Sequence, residues 1–331
     1  MLSKTQANQR PANTEKSVEM PRWIAQKLEA GETVDQKILD LVAHIRTGAK
    51  APDQLDFATL NKLLGEEEKK INVKVSLSGE ECRQEYSQLF SGVGLIRGEY
   101  QLRKNMMWIT MPEMQKIAKD YIEKILKTFS GKDVWYRTIE VPTSWVNVFD
   151  GGDHIINEYD TVIGLRGIRR ALAFPEAFLL ELEMLADLSK RYPNLNVVFP
   201  FIHDISELKE AKTYLKQVGF KAKVGIMAEI PSTILCLDEF LEEGVDSVII
   251  GLNDLTALTL GSLRNLPIYS NTHPAVVKLM AMAIKKAKGY AVEMVVAGRH
   301  NPKSIENAEK LGFDAVSIFV PDISAALRQV H

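Results

Sequence analysis

The sequence predicts a (β/α)8 TIM barrel, an α/β fold, preceded by a small helical segment. Three observations carry that reading. Beyond Ile71, eight short apolar runs alternate with amphipathic helical stretches. Most of these runs are continuously apolar rather than alternating, as parallel strands covered on both faces are. Charged residues gather where the runs stop, at the strand ends where such barrels carry their chemistry. An open doubly wound sheet is the alternative, since eight strands fit either closure.

Residues 1–20 (MLSKTQANQRPANTEKSVEM) are polar and read as a disordered tail, without the apolar core of a signal peptide. From Pro21 to about Lys70 the pattern is helical. Ile38, Leu41, Val42 and Ile45 share one face, and Leu60, Leu63 and Leu64 another, with breaks at Gly31 and GAKAP (48–52). GEEEKK (65–70) reads as a solvated helix end. The barrel is expected over 71–331. Its strands are expected at 71–77, 92–97, 134–139, 196–202, 223–229, 246–251, 293–297 and 314–319. Helices are expected at 111–128, 174–190, 205–217, 231–243, 274–288 and 302–311, and no internal repeat interrupts the pattern.

Composition excludes several classes. With 46% apolar and 25% charged residues the chain can bury a large core, as an ordinary soluble enzyme does. A net charge of −2, from 41 basic and 43 acidic residues, offers no bulk field for nucleic acid or a membrane surface. Cys82 and Cys236 form no CxxC, which points to a reducing, cytoplasmic setting, and no apolar run nears the length of a membrane span.

The strand ends are more specific. KVGIMAEIP (223–231) stops on Glu229 and SVIIGLNDLT (247–256) on Asp254, one strand–helix unit apart. Adjacent parallel strands would present both carboxylates about 4.8 Å apart. Such a pair suits Mg²⁺, which takes one or two carboxylates and keeps room for water and substrate oxygens. Arg97, Arg137, His203 and Gly298-Arg299-His300 stand at or just past the ends of other strands, and Asn253 stands beside Asp254. Arginines, carboxylates and an amide on one rim suit an anionic, metal-chelating ligand. Plainer readings compete: Glu99 would neutralise Arg97, GLRGIRR (164–170) is a phosphate cradle or a solvated helix start, and Arg264 folds back over the site or ends a helix in solvent.

Collinear blocks then carry a resemblance. GVGLIRGEY (92–100), YRTIE (136–140), GLRGIRR, VVFPFI (197–202), IMAEIPS (226–232), IGLNDLTALTLGSLRN (250–265), NTHPAVVKLM (271–280) and AGRHNPKSIENAEKLGFDAVSI (297–318) resemble the C-terminal barrel of the PEP-utilising family. That family includes PEP synthase, pyruvate phosphate dikinase and enzyme I of the sugar phosphotransferase system. The resemblance implies Glu229 and Asp254 as Mg²⁺ ligands, Arg97, Arg137 and Arg264 as phosphate- and carboxylate-binding arginines, the first two also catalytic, and Arg166 as a further substrate-site arginine of the family pattern. It implies Asn253 as a substrate-binding amide, and puts Gly298 beside the substrate in the family's Cys-Gly position. It also implies a phosphoryl transfer between a phosphohistidine and pyruvate through an enolate held by Mg²⁺, and a homodimer.

Three departures qualify it. Ala297 stands where the family's proton-moving cysteine is expected, and His300 is the candidate substitute, against a capping or solvent-facing role. No histidine sits in a phosphohistidine-type setting, so a stand-alone barrel fed by a separate phosphohistidine carrier is expected. The family's RTE reads Arg97-Gly98-Glu99, and Asp160-Thr161 replaces an Asn-Pro. The first expectation is a Mg²⁺-dependent transferase module binding phosphoenolpyruvate, pyruvate or a related 2-oxoacid, with a non-pyruvate acceptor allowed by Ala297. An aldolase or lyase acting through the enolate, and a non-catalytic sensor of similar anions, are the alternatives.

Overall fold

The structure, a computed structural model, describes residues 20–47, 71–152 and 163–319. The expected tail up to residue 19, the 48–70 stretch with its second leucine face and GEEEKK run, His154, Asp160-Thr161 and His331 lie outside the described residues.

Eight parallel strands run in sequence order around a closed barrel: β1 (Asn72–Leu77), β2 (Val93–Arg97), β3 (Val134–Arg137), β4 (Leu195–Phe199), β5 (Val224–Ala228), β6 (Ser247–Gly251), β7 (Glu293–Gly298) and β8 (Ala315–Phe319). β8 pairs back onto β1, Asn72 opposite Ala315 through Ser76 opposite Phe319, and this excludes the open sheet. All eight expected strands are present. The largest difference is at β4, expected to continue to Ile202. It leaves the sheet after Phe199 because Pro200 has no N–H to donate and Phe201 takes a left-handed backbone, φ 57°.

Alternation sorts each strand's side chains between two cores. Leu95, Trp135, Val198, Met227, Ile249, Val295, Ala297 and Ala315 form one cluster, which we assign to the barrel interior because it takes alternate residues from seven strands. A larger layer of apolar residues lies between strands and helices. Five of the surrounding helices start with proline in their first turn, at Pro112, Pro175, Pro231, Pro274 and Pro302, where a missing N–H costs nothing. The Asp204 side chain caps Ile205–Gln217, and Asn301 with Ser304 forms a capping box on Pro302–Leu311. The single helix expected over 231–243 is two, Pro231–Leu235 and Leu237–Glu242, broken at Cys236. A helix that was not expected, Leu252–Leu260, starts directly after β6.

The N-terminal helices Arg22–Glu29 and Gln36–Thr47 bear out the Ile38/Leu41/Val42/Ile45 face and the break at Gly31. Ile24, Val42 and Ile45 are buried against the barrel. The Trp23 indole donates to the Val148 carbonyl (3.1 Å) and Arg103 donates to that of Ile45 (3.3 Å). The Arg103 guanidinium stacks on Tyr100 and Trp145, 4.8 and 4.6 Å from their ring centres. The helical segment is thereby tied to the loops that follow β2 and β3. Among the described residues no helix is long and apolar enough to cross a membrane.

Glu181, on the helix Pro175–Arg191, lies 2% exposed behind β3 and accepts from the Ile139 amide at 2.8 Å. Burial, the largest cause, raises its carboxyl from 4.5 to about 8, so it holds its proton at neutral pH. The folded chain binds that proton more tightly than the unfolded chain. The resulting stabilisation is complete below about pH 4.5 and is lost as pH rises through 8. Thermal melts across pH 5–9 should therefore show wild type losing a few kcal/mol toward the alkaline end. Glu181→Gln, which keeps the acceptor oxygen, should flatten that slope; equal slopes would remove Glu181 as its cause.

Candidate active site

Parallel strands around a closed barrel deliver all their C-terminal ends to one rim, and there the expected arginines meet the expected carboxylates. Arg137 ends β3 and is buried. Its Nη2 donates to Glu99, and its Nη1 lies 2.9 Å from Glu140 Oε2. The other Glu140 oxygen accepts from Arg166 Nε at 2.5 Å. Arg166 reaches on to Asp254 Oδ1 at 3.6 Å, and Arg264 Nη2 donates to the same oxygen at 2.9 Å. The result is a continuous chain of alternating charge, Glu99–Arg137–Glu140–Arg166–Asp254–Arg264. Burial works against the charges of Arg137, Arg166 and Asp254, but neighbours of opposite sign outweigh it. Glu99 and Glu140 raise Arg137 above its usual range, Glu140 and Asp254 do the same for Arg166, and Arg264 and Arg166 hold the Asp254 carboxyl below its own.

Glu229 stands beside this chain, 1% exposed just past β5, its Oε1 accepting from the Phe201 amide at 2.7 Å. Burial first, then the Asp254 charge, pushes its carboxyl above the usual range. The two carboxylates do not meet as strand-end neighbours. Asp254 sits in the first turn of the helix Leu252–Leu260, and the residue flanking Glu229 on β6 is Gly251. A Cβ on Gly251 would fall 2.3 Å from Glu229 Oε2, so the absent side chain makes the space. Gly298 serves similarly. Its φ of 142° favours glycine, and a Cβ there would crowd Leu252 and the Asn253 carboxamide at 3.1–3.3 Å. Asn253 Oδ1 accepts from the Arg299 amide (3.0 Å), which leaves the NH₂ as the group it can offer a ligand.

Arg97, Arg137, Glu140, Arg166, Asn253, Asp254 and Arg264 line a cavity of about 810 Å³ at the rim. Among the described residues the buried Nε atoms of Arg97 and Arg137 have no hydrogen-bond partner. No three acidic, histidine or cysteine side chains among the described residues form a metal cage. A two-carboxylate donor set is nonetheless what Mg²⁺ accepts when substrate and water complete its shell. One oxygen of each carboxylate carries a protein hydrogen bond, and the other oxygen of each would be the ligand.

Several expectations need correction. Glu99 neutralises Arg137, not Arg97; Arg97 lies over the Phe319 ring at 5.1 Å. The basic loop 164–170 divides. Arg166 enters the site, Arg169 turns to Phe201 and Glu207, and Arg170 is buried between Trp108 and Phe174. His203 pairs with Glu207 at 2.9 Å and, like Glu229 and Gly298, is not part of the cavity wall. His300 is neither a cap nor solvent-facing. It is buried, with Nε2 3.2 Å from the Ser317 carbonyl, and burial lowers its pKa to about 4. A neutral imidazole held off the cavity wall is poorly placed to replace a thiol acid. Ala297, 2% exposed, belongs to the interior cluster.

Glu140 and Phe201 are residues of the candidate site that sequence reasoning missed, although both lie inside blocks already noted. Phe201 fixes Glu229 through its amide while its ring supports Arg166, 4.5 Å away. Its left-handed backbone is the kind of local strain that functional sites retain. Gly98 in the RGE triplet has a steric cause: a Cβ there would lie 2.1 Å from the Tyr136 hydroxyl.

Comparison with known proteins gives one consistent result. The family model described as PEP-utilising enzyme, PEP-binding domain, matches residues 54–331. The chain is 32% identical to the phosphoenolpyruvate synthase of Pyrococcus furiosus over 72% of its own length and 31% of that protein. It is 33% identical to a probable phosphoenolpyruvate synthase of Archaeoglobus fulgidus, covering 80% of this chain and 37% of the other. A phosphoenolpyruvate-dependent phosphotransferase system protein of Escherichia coli K12 is 28% identical over 85% of this chain and 36% of its own length. The chain thus spans about a third of the length of the curated relatives it matches.

Two substitutions probe this geometry. Glu140→Ala strands two buried guanidiniums and should cost about 3–5 kcal/mol in denaturant unfolding; a loss within 1 kcal/mol would mean the chain of charges is not a stabilising unit. Gly98→Thr should destabilise by about 1–3 kcal/mol through overpacking. Tyr136→Phe, which removes the nearest clashing atom, should recover part of that loss, whereas strict additivity of the pair would dismiss the steric account.

Proposed function

The chain belongs to the PEP-utilising enzymes, through their PEP-binding domain, and on that premise we propose a Mg²⁺-dependent phosphoryl-transfer module. It binds a small anion of the phosphoenolpyruvate or pyruvate type and exchanges a phosphoryl group with a phosphohistidine on a carrier protein. The observation that carries this reading is the buried alternation of arginines and carboxylates, with Glu229 and Asp254 close to the charges of Arg137 and Arg166.

In this reading Arg97 and Arg137 hold the phosphoryl and carboxylate oxygens, because planar guanidinium forks match both. Glu99 and Glu140 fix the Arg137 plane, so the charge is already oriented when the ligand arrives. Arg166 and Arg264 flank Asp254, and Asn253 offers its NH₂ beside Gly298. Glu229 and Asp254 would hold Mg²⁺, whose charge, when bound, neutralises the negative charge that phosphoryl transfer develops. The transfer breaks the P–N bond of the phosphohistidine and makes a P–O bond to the acceptor oxygen. A hydroxyl acceptor passes its proton to the departing imidazole, and a 2-oxoacid must arrive as its enolate; for the transfer itself the protein contributes positioning and charge neutralisation.

Ala297 favours a second reading. With no thiol at that place on β7, a three-carbon enolate lacks the protonating group expected on that side. Attack on a carbonyl, as in an aldolase or lyase, or an acceptor that needs no carbon protonation, then becomes competitive. Deuterium exchange into pyruvate with Mg²⁺ alone, and no carrier, would support the carbon chemistry; absence of exchange favours phosphoryl transfer.

Calorimetric titration with oxalate, in the presence and absence of Mg²⁺, tests the common core of both. Wild type should bind oxalate only with the metal, and Asp254→Ala should weaken that binding at least about a hundredfold, the cost of losing a charged ligand group. Metal-independent binding, or binding indifferent to Asp254, would remove the site assignment.

A further inference from the structure

The rim cavity is far larger than a three-carbon acid requires. Its 810 Å³ falls in the range of pockets that enclose drug-sized ligands, about 300–1,000 Å³. Its lining is also divided in character. The arginines, Asn253 and Asp254 gather where strands β2, β3 and β6 end. Leu41, Tyr100, Pro142, Trp145 and Leu263 add apolar surface to the wall, with Arg103, Ser262 and Asn265 polar among them.

The apolar part is built by the same segments that set the charges. Glu99 faces Arg137, and the next residue, Tyr100, lines the cavity. Glu140 bridges Arg137 and Arg166, and Pro142 and Trp145 follow it on the wall. The buried Arg103 lies against both aromatic rings and holds the carbonyl of Ile45, which brings the helix Gln36–Thr47, with Leu41, to this wall. Leu263, 55% exposed, and Arg264 come from one loop, so that loop contributes an apolar and a charged side chain to the same cavity.

We propose that the site takes an anion with an apolar body larger than a methyl group, such as an aryl-bearing 2-oxoacid, its charged head on the arginines and its ring against Tyr100, Trp145 and Leu41. This extends the anion-site reading above and rests on it. Burying one aromatic ring against such a wall should improve affinity roughly ten- to hundredfold.

Titration of the full-length chain with Mg²⁺ and, in turn, oxalate, pyruvate and phenylpyruvate tests the proposal and separates it from its premise. The expected result is oxalate binding, with phenylpyruvate held at least about tenfold more tightly than pyruvate. Trp145→Ala should pull the phenylpyruvate-to-pyruvate preference toward one. Because that change also removes a partner of Arg103, Leu263→Asp serves as the second variant; its side chain is exposed, and a charge there should lower the same preference without unfolding the chain. Oxalate binding with no preference for the aryl acid in wild type would overturn the proposal alone, the apolar wall then being a surface for a protein loop. A preference untouched by both variants would overturn it too. No oxalate binding at all would remove the anion site and this extension together.

Discussion

Two buried guanidiniums, Arg137 and Arg166, are each held between carboxylates, and the rim of this barrel is organised by that pairing. Arg137 lies between Glu99 and Glu140, and Arg166 between Glu140 and Asp254. Taking such groups out of water costs several kcal/mol each, and mutual attraction offsets the cost only when geometry is good. The segments after β2, β3 and β6 are therefore locked to one another by charge. Breaking one link strands its neighbours, so the chain behaves as a unit. The same links hold donors in place before any ligand arrives, which is the preorganisation that catalysis by charge needs.

Small residues let that chain close up. Gly98 makes room for the Tyr136 hydroxyl, Gly251 for Glu229, and Gly298 for Asn253. Gly167, with φ 57°, sits against Pro200 and Phe201, where a Cβ would meet both at 2.7 Å. The Ile168 amide donates to the Pro200 carbonyl (3.0 Å), binding the arginine loop to the end of β4. Phe201 completes the arrangement, its backbone on Glu229 and its ring under Arg166. A single turn after β4 thus positions a candidate metal ligand and a candidate anion-binding arginine together.

The site is not equally fixed throughout. Arg137 is buried on a strand, whereas the Arg264 side chain is 49% exposed on the loop after the helix Leu252–Leu260. Exposed loop groups open at lower cost than buried strand groups. The β3 side of the cavity is the rigid reference, and the Arg264 side is where adjustment to different ligands is cheapest.

What the sequence determined by itself was everything that depends on local pattern. Eight apolar runs specified eight strands, prolines marked helix starts, and the charges that end those runs marked the rim. Family resemblance then supplied roles for Glu229, Asp254 and the arginines. Pairings belonged to the tertiary structure alone. Glu99 reads as the partner of Arg97 two positions away, yet it bonds Arg137 on the neighbouring strand, because the chain leaves β2 after Arg97 and turns into the helix Glu99–Asn105, while parallel pairing sets Arg137 beside Arg97. Asp254 reads as a strand end, but the chain turns into a helix after Gly251 and carries it there. His300 reads as either a substitute acid–base group or a capping or solvent-facing residue, and packing against β8 makes it a buried, neutral one. Glu140 looked ordinary until closure of the barrel placed two arginines on its two oxygens. Local pattern is written residue by residue, whereas charge pairing depends on which strand ends closure makes neighbours.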